Sequence, residues 1–262
     1  MDNAKSLIHV RDCWKSFPGK KPGEQVHVLE RVNLNVDAGE FVCVVGPSGC
    51  GKSTLLNIIG GFFKESRGEV RVAGAPVNGP DPRRIFVFQE NGVFPWLTVE
   101  ENIGFGLMSR PAEERKERVT HYINMVGLSG FEKSYPRELS GGMRQRVEIA
   151  RALAANAEVL YMDEPFGALD FLTRIKMRTD LIRIWQAEKK TLVFVTHDIE
   201  EAVQLADRVV VMSKRPATVA EEVVVNLPRP RDLDSPGYLA ARDRIFAIMG
   251  MDVHGGGTGD PK

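Results

Sequence analysis

The sequence predicts an α/β fold built on a mostly parallel, doubly wound sheet. Short apolar runs recur along the chain, and the stretches between several of them have helical periodicity. Strands that alternate with helices favour parallel pairing, because the helices provide the crossovers between neighbouring strands. The apolar runs that predict core strands lie at residues 41–45, 85–88, 159–162, 191–195 and 209–212.

The remaining elements follow from local patterns. Alternating apolar residues predict two short half-buried strands near the N terminus, at 7–9 and 32–36, with a turn-rich loop at 18–23 between them. Helices are expected at about 52–62, 172–188 and 199–206.

Two regions fall outside this alternation of strands and helices. Residues 99–155 contain no β-rich run and are dense in helix formers and charge, which predicts a helical subdomain inserted in the sheet. The glycine-rich run at 255–259 predicts a disordered tail.

The composition is that of an ordinary soluble protein. The chain has 262 residues, enough for one α/β core with a smaller subdomain, and is 43% apolar and 27% charged. Its formal net charge is zero, which argues against a protein that coats nucleic acid. It has no run of about 18 apolar residues and no signal-peptide layout, so we expect it to stay in the cytosol. Its three cysteines lack metal-ligand spacing.

A glycine-rich loop follows the apolar run at 41–45. Residues 46–53 fit the pattern G-x-x-x-x-G-K-[ST], in which backbone amides and a helix N terminus bind the phosphates of a nucleotide. Lys52 would contact the β- and γ-phosphates, and the Ser53 hydroxyl would bind Mg²⁺. The alternative is a glycine turn without a ligand. The predicted nucleotide-binding residues of this loop are Gly46, Pro47, Ser48, Gly49, Cys50, Gly51, Lys52, Ser53 and Thr54.

Two carboxylates, Asp163 and Glu164, end the apolar run at 159–162. In an open parallel sheet, ligands bind beyond the carboxyl ends of the strands. Asp163 would hold Mg²⁺, directly or through water, and Glu164 would orient or deprotonate the attacking water. Alternatively, the two acids simply close a strand at a surface turn.

A third motif makes a family resemblance specific. The segment Leu139-Ser140-Gly141-Gly142-Met143-Arg144-Gln145-Arg146 is typical of a capped helix start, and it resembles the signature motif of ABC ATPases. With the phosphate loop and the acidic pair, the resemblance extends from residue 7 to about 230. It implies a P-loop NTPase (RecA-like) core with a mostly parallel sheet, an N-terminal antiparallel β subdomain and an α-helical subdomain inserted at about 92–155. Residues 1–230 would form the ABC ATPase domain, and 231–262 a C-terminal helix and a disordered tail.

The resemblance also assigns roles outside these motifs. Gln89 matches the glutamine loop, Ala168-Leu169-Asp170 matches the loop after the acidic pair, and His197 matches the switch histidine. Phe17 resembles the aromatic residue that stacks on adenine, but Trp14 is nearby and either ring could belong to the core. The implied catalytic residues are Glu164, His197, Lys52 and Gln89, the implied metal ligands are Ser53, Gln89 and Asp163, and the further nucleotide contacts are Phe17, Ser140, Gly141, Gly142 and Asp170.

The family resemblance implies ATP and Mg²⁺ as ligands and a head-to-tail dimer. Each ATP would lie between the phosphate loop of one copy and the signature segment of the other. Because this sequence has one copy of each motif, the partner copy must come from a second chain. Closure on ATP and opening after hydrolysis would provide a mechanical step.

An apolar, aromatic cluster of Val93, Phe94, Trp96 and Leu97 points to a transporter. Local core packing is one explanation of these side chains, but in the importers that the chain resembles, this region receives a short cytoplasmic helix of the permease. We therefore expect a peripheral subunit at the cytoplasmic face of the membrane, with permease subunits and, indirectly, a solute-binding protein as partners. The alternative is a soluble ABC ATPase in DNA repair or translation, which usually has a coiled-coil insert or two motif sets.

Three further stretches, at 94–102, 212–216 and 227–231, resemble the nitrate/sulfonate/taurine importer subfamily. None of them would touch the transported molecule, because an ATPase subunit contacts ATP and the permease. Aliphatic sulfonate, taurine and nitrate therefore remain open as substrates, as do aromatic acids and vitamin precursors.

Overall fold

The computed structural model describes residues 6–87, 92–155, 157–167 and 169–251. Its strands are β1 (Ser6–Pro18), β2 (Gln25–Asp37), β3 (Phe41–Val45), β4 (Arg67–Val72), β5 (Ala75–Pro76), β6 (Arg84–Val87), β7 (Val159–Asp163), β8 (Thr191–Val195), β9 (Arg208–Met212) and β10 (Val219–Val224). Its α-helices are α1 (Lys52–Gly60), α2 (Val99–Gly104), α3 (Ala112–Met125), α4 (Gly141–Ala154), α5 (Phe171–Glu188), α6 (Ile199–Leu205) and α7 (Pro236–Ile248).

A six-stranded sheet forms the centre of the fold. Its strand order is β10-β9-β3-β8-β7-β6, with parallel pairing from β9 through to β6 and an antiparallel β10 at one edge. Every residue of β3 and β8 is buried, as expected for strands covered on both faces. The predicted α/β fold with a mostly parallel sheet is confirmed.

The central sheet separates two apolar clusters. Alternate residues of β3 point to opposite faces: Phe41, Cys43 and Val45 lie in one cluster with the helices, whereas Val42 and Val44 lie in the other. The second cluster also contains α1 and the strands of the N-terminal sheet. Both faces of β3 are therefore fixed, which holds its carboxyl end in place.

The N-terminal sheet is antiparallel, with strand order β2-β1-β4-β5. The prediction of two short strands was wrong in length, because β1 and β2 have 13 residues each. Register shifts in β1 between Val10 and Cys13 and again before Lys15 mark bulges, which interrupt the alternation that sequence analysis relies on. The hairpin of β4 and β5 was not predicted.

Helix α1 is shorter than the predicted helix at 52–62. It ends at Gly60 because Gly61 adopts a left-handed conformation at φ 88°, a common helix end. A Cβ atom at Gly61 would lie 2.2 Å from the carbonyl oxygen of Gly79, so this turn requires glycine.

Helices α2, α3 and α4 follow β6 in the chain and pack on one another before the chain enters the sheet again at β7. Thr98 caps α2: its hydroxyl accepts from Glu101 N, and the Glu101 carboxylate accepts from Thr98 N at 2.8 Å. At the other end of the chain, α7 packs against α6 and β10. The predicted disordered run at 255–259 lies outside the described residues.

Across the described ranges, no helix has the length and apolar character needed to span a membrane.

Candidate active site

The glycine-rich loop lies between the carboxyl end of β3 and the first residue of α1, Lys52. Gly49 and Gly51 have φ values of 72° and 123°, which side chains rarely tolerate. A Cβ atom at Gly51 would also lie 2.8 Å from Cγ1 of Val28 in β2. Glycine is thus required both by the backbone and by the close approach of the N-terminal sheet.

The loop is suited to bind an anion. The first-turn amides of a helix have no intrahelical partner, and α1 has no acidic residue in that turn. Lys52 is buried, and its Nζ donates to the carbonyl oxygens of Gly46 at 2.9 Å and Pro47 at 3.2 Å. Its ammonium group is therefore held inside the curve of the loop, where a phosphate would meet it.

Asp163 lies beside the phosphate loop. It is the last residue of β7, and its Oδ1 accepts a hydrogen bond of 3.0 Å from the Ser53 hydroxyl. Burial raises the pKa of Asp163 above its usual value, and the Ser53 hydrogen bond partly opposes that shift. Two residues that are far apart in the sequence thus place a hydroxyl and a carboxylate at one point.

Glu164 and His197 also meet at the carboxyl edge of the sheet. His197 Nδ1 lies 2.9 Å from Glu164 Oε2. Glu164 has φ 46°, an unusual value for a residue with a side chain, and its amide donates to the carbonyl oxygen of Val195 in β8 at 2.9 Å. That bond ties the turn after β7 to the neighbouring strand and directs the Glu164 carboxylate towards His197.

The signature segment forms a second group. Ser140 is the N-cap of α4, and its hydroxyl accepts from Met143 N. A Cβ atom at Gly142 would lie 2.6 Å from Cγ2 of Thr173, so the segment packs closely on the start of α5, where Asp170 is the N-cap. Among the described residues, no hydrogen bond joins this group to the phosphate loop.

Phe17 lies in β1, half-buried beside the end of α1. Its ring makes an edge-to-face contact with Phe63 at a centroid distance of 5.7 Å, and Lys15 Nζ lies 4.9 Å from its centroid. The nearby Trp14 instead donates from its indole to Asp12. Two other predicted positions, Gln89 and Ala168, lie outside the described residues.

Sequence reasoning missed one contact to the phosphate loop. The guanidinium of Arg215 donates to the carbonyl oxygen of Gly49 from Nη2 at 2.6 Å and from Nε at 3.2 Å. The segment 212–216 was noted only for its family resemblance. Arg215 follows the carboxyl end of β9, the strand that pairs with β3. Only the prediction that these two strands are neighbours could have placed Arg215 near the phosphate loop.

An aromatic patch is formed by residues that flank helix α2. It consists of Phe94, Trp96 and Phe105; the Phe94 ring centroid is 5.6 Å from that of Trp96 and 4.6 Å from that of Phe105. Trp96 is 69% exposed, whereas Val93 is buried and belongs to the core. The buried Asn102 side chain accepts from Phe94 N and donates to the carbonyl oxygen of Phe94, which fixes the loop that carries the patch.

The donors at Ser53 and Asp163 fit Mg²⁺. Both are hard oxygen ligands, and their oxygens already lie 3.0 Å apart. Within the part of the chain that the structure describes, no group of three or more His, Cys, Asp or Glu residues forms a metal site. A cation held by few protein ligands and by substrate phosphates is the usual arrangement for Mg²⁺.

The loop, the buried lysine and the two acids define a P-loop NTPase. A family model described as "ABC transporter" matches residues 29–167. The chain belongs to the ABC transporter family and is one of its ATP-binding, ATP-hydrolysing subunits.

Relatives and solved structures agree with this assignment. An uncharacterized ABC transporter ATP-binding protein of Methanocaldococcus jannaschii is 47% identical over 254 residues, covering 96% of this chain and 94% of the relative. The aliphatic sulfonates import ATP-binding protein SsuB of Bacillus cereus is 48% identical over 226 residues, covering 86% and 90%. These relatives favour a transporter ATPase over a soluble ABC ATPase in DNA repair or translation.

Among solved structures, the ATP-binding cassette MJ0796, a dimer in a post-hydrolysis state bound to ADP and Pi, matches with a TM-score of 0.72 and 36% identity, covering 84% of this chain and 99% of that one. The cbiO1 protein of Clostridium perfringens, part of the ABC transporter complex cbiONQ, matches with a TM-score of 0.75 and 25% identity, covering 94% and 100%.

Proposed function

We propose that this chain couples Mg-ATP hydrolysis to the import of a small solute of the aliphatic sulfonate, taurine or nitrate type through a separate permease. The observation that carries the chemistry is the convergence of Lys52, Ser53, Asp163, Glu164 and His197 at one edge of the sheet. The substrate class is supported by 48% identity to an aliphatic sulfonates import ATP-binding protein.

The chain's own residues would divide the reaction between them. The amides of residues 46–53 and the Lys52 ammonium bind the polyphosphate, because Lys52 exchanges loop carbonyls for phosphate oxygens. Glu164 accepts a proton from the attacking water, and the hydrogen bond from His197 keeps its carboxylate oriented. Ser53, Asp163 and, by resemblance, Gln89 would hold Mg²⁺, which supplies charge neutralisation on the phosphates.

A second copy of the chain would complete the site. Among the described residues, no hydrogen bond joins Ser140, Gly141, Gly142 or Asp170 to the phosphate loop, and these residues would contact ATP bound to the other copy. Two large apolar side chains at the start of α5, Phe171 and Leu172, are 72% and 75% exposed, as expected of a surface that a partner covers. The similar cassette that was solved as a dimer supports this proposal.

The aromatic patch would receive the permease. A rigid, exposed aromatic surface in a chain of this kind favours a protein partner, and Trp is enriched among residues that dominate binding energy. A subunit that docks on a permease in this way would lie at the cytoplasmic face of the membrane. A solute-binding protein would deliver the substrate on the opposite side.

The test is reconstitution of the chain with its permease and solute-binding protein in proteoliposomes. We expect uptake of an alkanesulfonate, taurine or nitrate that depends on Mg-ATP and saturates with the solute. ATP hydrolysis by the purified chain alone should rise more steeply than linearly with protein concentration, because two copies must meet. Uptake of none of these solutes, with ATPase activity intact, would contradict the proposed substrate class.

A further inference from the structure

A buried ion-pair network supports the loop that carries His197. Arg178 in α5 donates from Nε to Glu201 Oε1 at 2.9 Å and from Nη2 to Asp198 Oδ2 at 2.5 Å. Arg178 is 9% exposed and Glu201 is 4% exposed. One guanidinium thus bridges two carboxylates, and one of them belongs to the residue that follows His197.

The residue before His197 is held by the same network. Thr196 Oγ1 donates to Glu201 Oε2 at 2.5 Å and accepts from Asp198 N at 3.0 Å. The amide of Thr196 donates to the carbonyl oxygen of Val44 in β3, next to the phosphate loop. Both neighbours of His197 are therefore fixed, whereas the His197 side chain itself is 57% exposed.

We propose that Arg178 is a positioning residue for ATP hydrolysis: it holds residues 196–198 so that His197 Nδ1 stays within hydrogen-bond distance of Glu164. This inference rests on the proposed roles of His197 and Glu164. The planar fork of arginine matches two carboxylates at once, whereas a lysine ammonium is a point charge that satisfies one of them well. Among the described residues, the hydrogen bonds and ion pairs of Arg178 join it to Asp198 and Glu201 and not to the phosphate loop or to Asp163 and Glu164, so it acts through the loop of His197.

The network also connects His197 to the signature segment. Arg178 lies in α5, and the start of α5 packs on Gly142 through Thr173. The ion pairs of Arg178 thus join α5 to Asp198 and Glu201. The helix that packs on the signature segment therefore also holds the loop that carries His197.

The alternative explanation is that Arg178 only stabilises the fold. Removal of one partner of a buried ion pair is strongly destabilising, so Arg178→Ala would not separate the two roles. Arg178→Lys retains the charge, and Asp198→Asn retains a good N-cap for α6 while it weakens the ion pair. Arg183→Lys is the matched control, because Arg183 lies on the same helix but is exposed, with an ion pair of 3.7 Å to Asp180.

The experiment measures kcat, KM and ATP affinity of the full-length variants, together with the imidazole resonances of the five histidines. The His197 resonance is identified by its loss in His197→Ala. Arg178→Lys should lower kcat by roughly 10- to 100-fold, as a misplacement of about 1 Å can, with ATP affinity retained and the His197 resonance shifted. Asp198→Asn should act in the same direction, and Arg183→Lys should resemble the wild type.

The outcomes separate this inference from the proposed function. A normal kcat in both Arg178→Lys and Asp198→Asn, or a lowered kcat with an unmoved His197 resonance, would overturn the positioning role. Full turnover in His197→Ala would instead remove His197 from the proposed mechanism, whatever Arg178→Lys does. If Arg178→Lys does not fold, the folded Asp198→Asn variant decides by the same two readouts.

Discussion

Replacement of Glu164 by Gln is the sharpest perturbation of the proposed chemistry. The glutamine amide has nearly the same shape as the glutamate carboxylate. The substitution also leaves intact the backbone hydrogen bond from Glu164 N to the carbonyl oxygen of Val195. The φ of 46° at this position is also retained, so no new strain arises. What is lost is the proton acceptor 2.9 Å from His197 Nδ1.

The expected magnitude follows from that loss. A positioned general base contributes about 10²- to 10⁴-fold to a rate. This corresponds to about 3–5 kcal/mol of activation free energy. Because Lys52 and the amides of residues 46–53 are untouched, ATP affinity should stay close to that of the wild type.

The assay is phosphate release at saturating Mg-ATP, with ATP binding measured separately by titration. Glu158→Gln is the matched control, because Glu158 precedes β7, is exposed and lies 3.9 Å from Arg83. It should hydrolyse ATP at the wild-type rate. Normal turnover in Glu164→Gln would refute the assignment of Glu164 as the base.

Three further predictions concern ligand binding, docking and pH. Lys52→Ala should weaken Mg-ATP binding by roughly 10- to 100-fold in calorimetry, because a charge-assisted contact to phosphate is lost; unchanged affinity would contradict the loop assignment. Trp96→Ser should leave the basal ATPase rate intact but abolish its stimulation by the permease, and retained stimulation would argue against docking on the aromatic patch. Glu101→Ala should lower the melting temperature at neutral pH. Hydrogen bonds from Thr98 lower the pKa of Glu101. The ionised Glu101 carboxylate therefore stabilises the folded state above the usual carboxyl pKa, and this contribution disappears as pH falls. A difference in melting temperature between Glu101→Ala and the wild type that persists in acid would contradict this.

The core strands were predictable because their signal is local. Strands β3 and β8 coincide with the apolar runs at 41–45 and 191–195, since a strand buried on both faces needs only apolar residues. The length of β1 was not predictable in the same way. Each bulge changes which face the following side chains occupy, and β1 contains no glycine that would mark a bulge in the sequence.

The residues of the candidate site were also predictable only where their sequence signal is local. The phosphate loop and the acidic pair are contiguous motifs, so their residues were found from the sequence, but the contact of Ser53 with Asp163 depends on how two strands are aligned. The arginines that contact the loops of the site, Arg178 and Arg215, were missed. A single arginine in a helix or loop is normally a solvated surface residue, and its partners become known only when the chain is folded.

The central claim is that the loop at 46–53 binds a polyphosphate beside the carboxylates of Asp163 and Glu164. The most direct measurement is a crystal structure of the Glu164→Gln variant with Mg-ATP. The account predicts that Lys52 Nζ leaves the carbonyl oxygens of Gly46 and Pro47 for the phosphates, with Ser53 and Asp163 facing the cation. A triphosphate bound elsewhere, with Lys52 still on those carbonyls, would contradict it.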